Sequence, residues 1–302
     1  MIVASIDLGS NTLRLLIAEI NNGKIIKILH EDRKITRLAE NLIHTHTLAD
    51  AAIGRTLEAL RLFKKTCDIF KPDKIKIVAT SAVREAKNKA TFIVKAKEVG
   101  FDIEIISGTK EGYYTYLGVA SVVNMFNKKS IIFDIGGGST EFIYTENSKI
   151  IYINSIEMGV VKIANTFDLY NTIKSHTKED ICTLIKKHLQ ILEPNFKTDI
   201  LIGTAGTVTT IAAIDLELDR YNCALINNYK LEYRNIENIY EQLSTLPAKE
   251  RLKIKGLEVG REDLIIAGIL MVLEILKHYN RSFIIVSDYG LREGLAIAAS
   301  LD

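Results

Sequence analysis

Short apolar runs that close on an aspartate set the pattern of this chain. Residues 2–7 run apolar up to Asp7, the segment Leu8-Gly9-Ser10-Asn11-Thr12 follows, and residues 13–20 form a second apolar run. Asn22-Gly23 is a two-residue signal for a type I′ hairpin, so residues 24–29 read as the next strand. The plan recurs. Residues 131–134 end in Asp134, then come Ile135-Gly136-Gly137-Gly138-Ser139-Thr140, and runs at 141–145 and 150–156 flank a polar turn. Setting Asp7 on Asp134 puts Gly9 on Gly136, Thr12 on Ser139 and Leu15 on Phe142.

Each half then alternates between helical and extended patterns. In the first half the spacing predicts a helix over 48–70, a strand over 74–80, a helix over 87–100 closed by a glycine, and a strand over 103–106. The second half gives helices at 177–192, 207–216 and 264–279, strands at 199–203 and 282–286, and a final helix at 291–300. The expectation is two related α/β domains joined near residues 115–120. A length of 302 residues agrees, being long for one core.

Composition narrows the partners. Lys and Arg number 39 against 37 Asp and Glu, a net charge of +2, so nothing demands a nucleic acid polymer or an acidic membrane. A polyanion would have to be held by a local basic site. The strip Lys249, Arg251, Lys253 and Lys255 is one candidate guide, with a solvated loop as the plainer reading. Three cysteines without a CxxC pair argue against a zinc ribbon and for a reduced setting. The start of the chain lacks the pattern of a signal peptide. The greasiest stretch, 264–276, contains Glu274 and is too short to span a bilayer. A soluble, cytoplasmic protein is expected.

A strand ending in aspartate, a tight loop of Gly, Ser and Thr, and a returning strand have a chemical use. Glycines let backbone approach a ligand and adopt positive φ, and successive N–H groups converge on an anion. Ser139 and Thr140 add hydroxyls, and Asp134 is placed to hold Mg²⁺ against phosphate oxygens. Two such loops facing across a cleft would grip a chain of phosphates. One glycine run alone would read as a plain hairpin; the matching aspartate in both halves favours phosphate. Other phosphate and catalytic motifs fail: there is no GxxxxGK[ST], no GxGxxG (Glu141 stands at the third glycine) and no GxSxG. His44 and His46 read as a solvated turn, and His176 and His188 as exposed helix faces.

Six ordered motifs resemble the Ppx/GppA phosphatases. They are Asp7-Leu8-Gly9-Ser10-Asn11-Thr12-x-Arg14; Thr80-Ser81-Ala82-Val83-Arg84-Glu85-Ala86; Ser107-Gly108-x-x-Glu111-Gly112; Phe133-Asp134-Ile135-Gly136-Gly137-Gly138-Ser139-Thr140-Glu141; Gly203-Thr204-Ala205-Gly206-Thr207; and Ser287-Asp288-x-Gly290-x-Arg292-Glu293-Gly294. Glu250-Arg251, Gly256-Leu257 and Arg261-x-Asp263 add to them. The resemblance is to a short form without the C-terminal HD-type region. It implies an α/β fold of two duplicated actin-like domains flanking a cleft, related to ribonuclease H, sugar kinases and heat-shock chaperones. The first domain would take 1–116 plus about 290–302, the second 117–289.

The resemblance also assigns roles. Glu111 would be the catalytic carboxylate, and Arg84 would act with it by clamping phosphate oxygens. Ser10, Asn11, Thr12, Arg14, Gly136, Gly137, Gly138, Ser139, Thr140, Gly206 and Arg261 would bind phosphate. Asp134, Glu141 and Asp7 would hold Mg²⁺ or Mn²⁺. The implied reaction removes the terminal phosphate of inorganic polyphosphate, or the 5′ phosphate of guanosine pentaphosphate, and a non-catalytic alarmone or nucleotide sensor is the competing reading. The resemblance leaves room for a homodimer. The residues alone allow plainer roles: Glu111 as a helix cap, Arg84 paired with Glu85, Glu141 facing solvent. Lys110 departs from the family, where an acidic residue is usual, and would favour the ionised form of Glu111 or bind phosphate itself.

Overall fold

The computed structural model describes residues 1–169, 171–173, 175–193 and 196–301. The chain divides into two units, Met1–Ser121 with Tyr289–Asp302, and Val122–Asp288. In chain order the first contains β1 (Ile2–Leu8), β2 (Thr12–Asn21), β3 (Lys24–Ile35), α1 (Leu42–Thr45), α2 (Asp50–Phe70), β4 (Lys74–Ala79), α3 (Ser81–Glu85), α4 (Lys89–Glu98), β5 (Glu104–Ile105) and α5 (Gly108–Ala120). The second contains β6 (Lys129–Ile135), β7 (Thr140–Glu146), β8 (Lys149–Ile156), α6 (Val160–Phe167), α7 (Ser175–Leu189), β9 (Ile200–Thr204), α8 (Ala205–Asp215), α9 (Cys223–Ile226), β10 (Lys230–Glu232), α10 (Tyr233–Ser244), α11 (Ala248–Arg251), α12 (Ile265–His278) and β11 (Phe283–Val286). The last helix, α13 (Leu291–Leu301), returns to the first unit. The expected domain edge at 116 falls inside α5, which the first unit keeps whole.

The duplication read from the two aspartates is visible in the sheets. The first sheet has the order β3-β2-β1-β4-β5 and the second β10-β11-β9-β6-β7-β8. In each, three antiparallel strands lead into parallel neighbours, β1 with β4 and β6 with β9. β1 and β6 are buried along nearly their whole length, as central strands covered on both faces must be. The hairpin after β2 turns through Asn22 and Gly23, both at positive φ, as a type I′ turn requires. β3 runs on to Ile35, past the expected end at 29, because its ladder with β2 continues to Thr12↔Ile35.

In the first unit, α13 lays Leu291, Leu295 and Ala298 against Val78, Ile106 and Tyr114, and Ala296 and Ala299 against Val3, Leu16 and Ala18. Ser5 Oγ donates to Arg292 O at 2.8 Å. The α5–α13 approach needs glycine: a Cβ on Gly294 would lie 1.7 Å from Tyr114 O.

In the second unit α12 is apolar on all sides and forms the middle of the core, the pattern of a fully buried helix. Its one buried charge, Glu274, accepts from Lys277 at 2.8 Å. Among the described residues no helix is long and apolar enough to cross a membrane. The basic strip does not form. Arg251 is fully buried, while Lys253 and Lys255 pair with Glu250 and Asp219. His176 is exposed as expected, but His188 is only partly so.

Burial lowers the pKa of His278, at the end of α12, below 6.5, and its Nε2 finds no partner among the described residues. The folded state therefore holds fewer protons than the unfolded chain, and His278 costs stability as pH falls below about 6.5. His278→Phe keeps a ring beside Tyr279. It is expected to shrink the drop in thermal midpoint between pH 7.5 and pH 5.5, measured by circular dichroism.

Candidate active site

In the first unit the loop after β1 is a closed turn. Gly9 N donates to Thr12 O at 3.1 Å, and a Cβ on Gly9 would stand 3.0 Å from that oxygen. Ser10 O accepts from Ala39 N, and Asn11 O from Thr36 N and Arg37 N, so the carbonyls are tied to the chain behind. Ser10 Oγ lies 3.0 Å from Ser81 Oγ, joining the first two motifs. Asn11 Nδ2 is 3.4 Å from Thr12 Oγ1. Asp7 is buried, opposite Arg14 across the β1–β2 ladder.

The second feature of this unit is a carboxylate–guanidinium contact. Ser107 caps α5, its Oγ accepting from Lys110 N at 3.2 Å. The capping role considered for Glu111 is thus already filled. Glu111 comes one residue later, only 6 % exposed. Arg84 Nη1 donates to Glu111 Oε2 at 3.3 Å and to Ile106 O at 2.9 Å, so the guanidinium goes to Glu111 and not to the adjacent Glu85. Lys110 turns to Glu104 and lies 5.8 Å from the Tyr114 ring. The hydrogen bond to Glu104 raises its pKa.

The second unit repeats the turn. Gly136 N donates to Ser139 O at 3.0 Å, and a Cβ on Gly136 would lie 2.9 Å from that oxygen. Gly136 O accepts from Val160 N, and Gly137 O from Val161 N, which fixes the loop on the first turn of α6. Among the described residues no acceptor takes the N–H groups of Gly137, Gly138 and Ser139. None of the three glycines has positive φ. The close approach is at Gly159 instead: a Cβ there would lie 2.3 Å from Gly137 O and 2.5 Å from Gly138 N. Thr140 departs from expectation. Its buried hydroxyl donates to Met158 O at 2.5 Å and so is committed to the core.

Asp134 and Glu141 stand directly opposite each other on β6 and β7, hence on one face of the sheet. Glu141 is fully buried, not solvent-facing, and accepts from Ser155 Oγ at 2.7 Å. Among the described residues no three His, Cys, Asp or Glu side chains converge as a metal cage. Two carboxylates on one face suit Mg²⁺, which keeps waters and takes one or two carboxylates plus substrate phosphates. Gly206 lies in the first turn of α8, its carbonyl accepting from Thr210 Oγ1 at 2.6 Å. Ala205 before it is held at φ +69°, a strained value for alanine, at the strand-to-helix junction. Arg261 is buried and donates from Nε to Glu258 at 2.7 Å.

Sequence reasoning missed Ser155 and Gly159. The register partner of Glu141 could be found only by counting back from the 146–149 turn. Gly159 is a single glycine before an unrecognised helix.

Duplicated units of this strand order, each with a glycine turn after an aspartate-ended strand, define an actin-like two-domain α/β protein. In the second unit the open amides and the buried acid pair suit a phosphate group and a divalent cation; in the first, Glu111 held by Arg84 is a carboxylate suited to activate water. Residues 16–301 match the Ppx/GppA phosphatase family, and the chain belongs to that family of hydrolases. It is 35 % identical over 298 residues to the bifunctional 3-dehydroquinate synthase/phosphatase of Fusobacterium nucleatum, covering 94 % of this chain and 44 % of that protein. The chain therefore spans less than half the length of that relative. It is 26 % identical to exopolyphosphatase 2 of Mycobacterium tuberculosis, over 98 % of both chains. The crystal structure of the Aquifex aeolicus Ppx/GppA family member superposes with a TM-score of 0.84 at 33 % identity, covering 100 % of this chain and 98 % of that one.

Proposed function

We propose that the chain hydrolyses the terminal phosphoanhydride of inorganic polyphosphate and releases orthophosphate, with Mg²⁺ or Mn²⁺ as cofactor. The observation that carries this reading is the buried Glu111 paired with Arg84. Hydrolysis of an anhydride needs a water held in line with phosphorus and donors for the oxygens that gain charge. Glu111 accepts the proton of that water. Arg84, planar and always charged, donates to phosphate oxygens. In the second unit the N–H groups of Gly137, Gly138 and Ser139 form a turn that takes phosphate oxygens. Asp134 and Glu141 hold the cation, Ser155 fixing the Glu141 carboxylate. The cation supplies neutralisation of phosphate charge when bound.

The name of the Mycobacterium relative supports polyphosphate as substrate. A pppGpp 5′-phosphate presents the same terminal anhydride. The test is phosphate release from short polyphosphate, long polyphosphate, pppGpp and ATP, each with Mg²⁺ and with chelator. Chelator-sensitive release from polyphosphate above the other substrates is expected. Release from pppGpp alone would transfer the reading to that substrate. A protein that binds pppGpp or ppGpp and hydrolyses nothing would be a sensor.

Gly159→Ala tests the amide loop. The added methyl displaces the Gly137–Gly138 backbone, and a shift near 1 Å is expected to lower kcat/KM by about 10²-fold. Circular dichroism should show an unchanged fold. Unaltered kinetics would remove the loop from the substrate site.

A further inference from the structure

The two repeats differ in charge at one matched position. Asp7 on β1 is opposite Arg14 on β2, and Arg14 is opposite Arg33 on β3. The same alignment that sets Asp7 on Asp134 sets Arg14 on Glu141. In the second unit Asp134 is opposite Glu141, and Glu141 is opposite Ser155. Residues directly opposite on antiparallel strands share a face. One row is thus a carboxylate beside two guanidiniums, the other two carboxylates beside a hydroxyl. Among the described residues no carboxylate or carbonyl takes the half-buried guanidinium of Arg14.

These rows have opposite uses. Two carboxylates facing each other repel, and a divalent cation relieves that repulsion while taking oxygen ligands it prefers. In the first unit the positive charge is built into the chain. The guanidinium is a positive charge carried by the side chain itself, so a divalent ion placed beside Arg14 would be repelled. We infer that Arg14 stands permanently where a second ion would otherwise sit, so that this duplicated protein binds a single divalent cation per chain, on the second unit.

The inference rests on the metal reading of Asp134 and Glu141 given above. It makes Arg14 a determinant of metal stoichiometry, one unit carrying a fixed cation and the other an exchangeable one.

The experiment counts Mn²⁺ on chelator-stripped protein, by the loss of the free-ion electron paramagnetic resonance signal and by equilibrium dialysis, without substrate. Wild type is expected to take one ion per chain. Glu141→Gln, which takes away a ligand charge, is expected to weaken that binding by at least the roughly 100-fold that loss of an outer-shell partner can cost. Arg14→Glu, which copies the acidic pair into the first unit, is expected to raise the count to two. Two ions on wild type, one of them surviving Glu141→Gln, would overturn the inference. So would a folded Arg14→Glu protein that still takes one. The wild-type and Glu141→Gln counts decide the matter even if Arg14→Glu does not fold. A wild type that takes no Mn²⁺ would instead overturn the metal reading itself.

Discussion

Glu111→Gln is expected to lower phosphate release by about 10²- to 10⁴-fold, the range for removing a general base. The amide has the shape of the carboxylate, so packing at this nearly buried site is kept. It can accept a hydrogen bond from Arg84 but cannot take a proton from water. The loss should fall on kcat with KM little changed, because the group acts on the proton in flight and not on bound phosphate. Phosphate release with Mg²⁺ and short polyphosphate, beside circular dichroism of both proteins, measures it. A drop of less than about 10-fold in a folded variant would place the base elsewhere and leave Glu111 as the orienting partner of Arg84.

Arg251→Met is expected to destabilise the second unit by about 3–5 kcal/mol, the scale for breaking a buried charged network. Arg251 is 0 % exposed and donates to four backbone carbonyls: Leu169 O and Glu262 O at 2.9 Å, Asn171 O at 2.8 Å and Leu243 O at 3.1 Å. Burial lowers its pKa to about 10, with Asp263 opposing, so the charge persists at pH 7. Methionine fills much of the volume and leaves those oxygens with no donor. At roughly 2–4 °C per kcal/mol for a unit of this size, the midpoint should fall by about 10 °C. Lysine should rescue little, because it lacks the planar fork of five donors. A variant that melts like wild type but handles long polyphosphate poorly would revive the basic-strip reading.

The contrast between these residues shows what the sequence could tell. The strand–turn–strand plan was legible twice over because its signals are local: a period of two, an aspartate, a Gly-Ser/Thr turn. The Arg84–Glu111 pairing was not legible from spacing, since it joins α3 to α5; the resemblance named both residues but not their contact. Arg251 was misplaced because a charge in a Lys-rich segment reads as solvated, and nothing local announces four carbonyls gathered from segments up to 82 residues away. The glycine loop was found for a partly mistaken reason. Positive φ was expected, whereas none of the three glycines adopts it, and the tight approach is that of Gly159 to the Gly137–Gly138 backbone. Helices α6 and α10 went unread, although each is amphipathic.

The return of α13 to the first unit sets the order in which this protein can be made. Synthesis runs at about 5–20 residues per second, so the stretch from β6 to β11 takes on the order of ten seconds or more to emerge. Through that interval Val3, Leu16, Ala18 and Val78 have no helix over them. The second unit, continuous in the chain, can fold on emergence, while the earlier-made unit waits for its last strip of apolar cover. Contacts of such long sequence separation form slowly. The stage most exposed to aggregation, and most in need of a chaperone, is therefore the closing of the half that left the ribosome first.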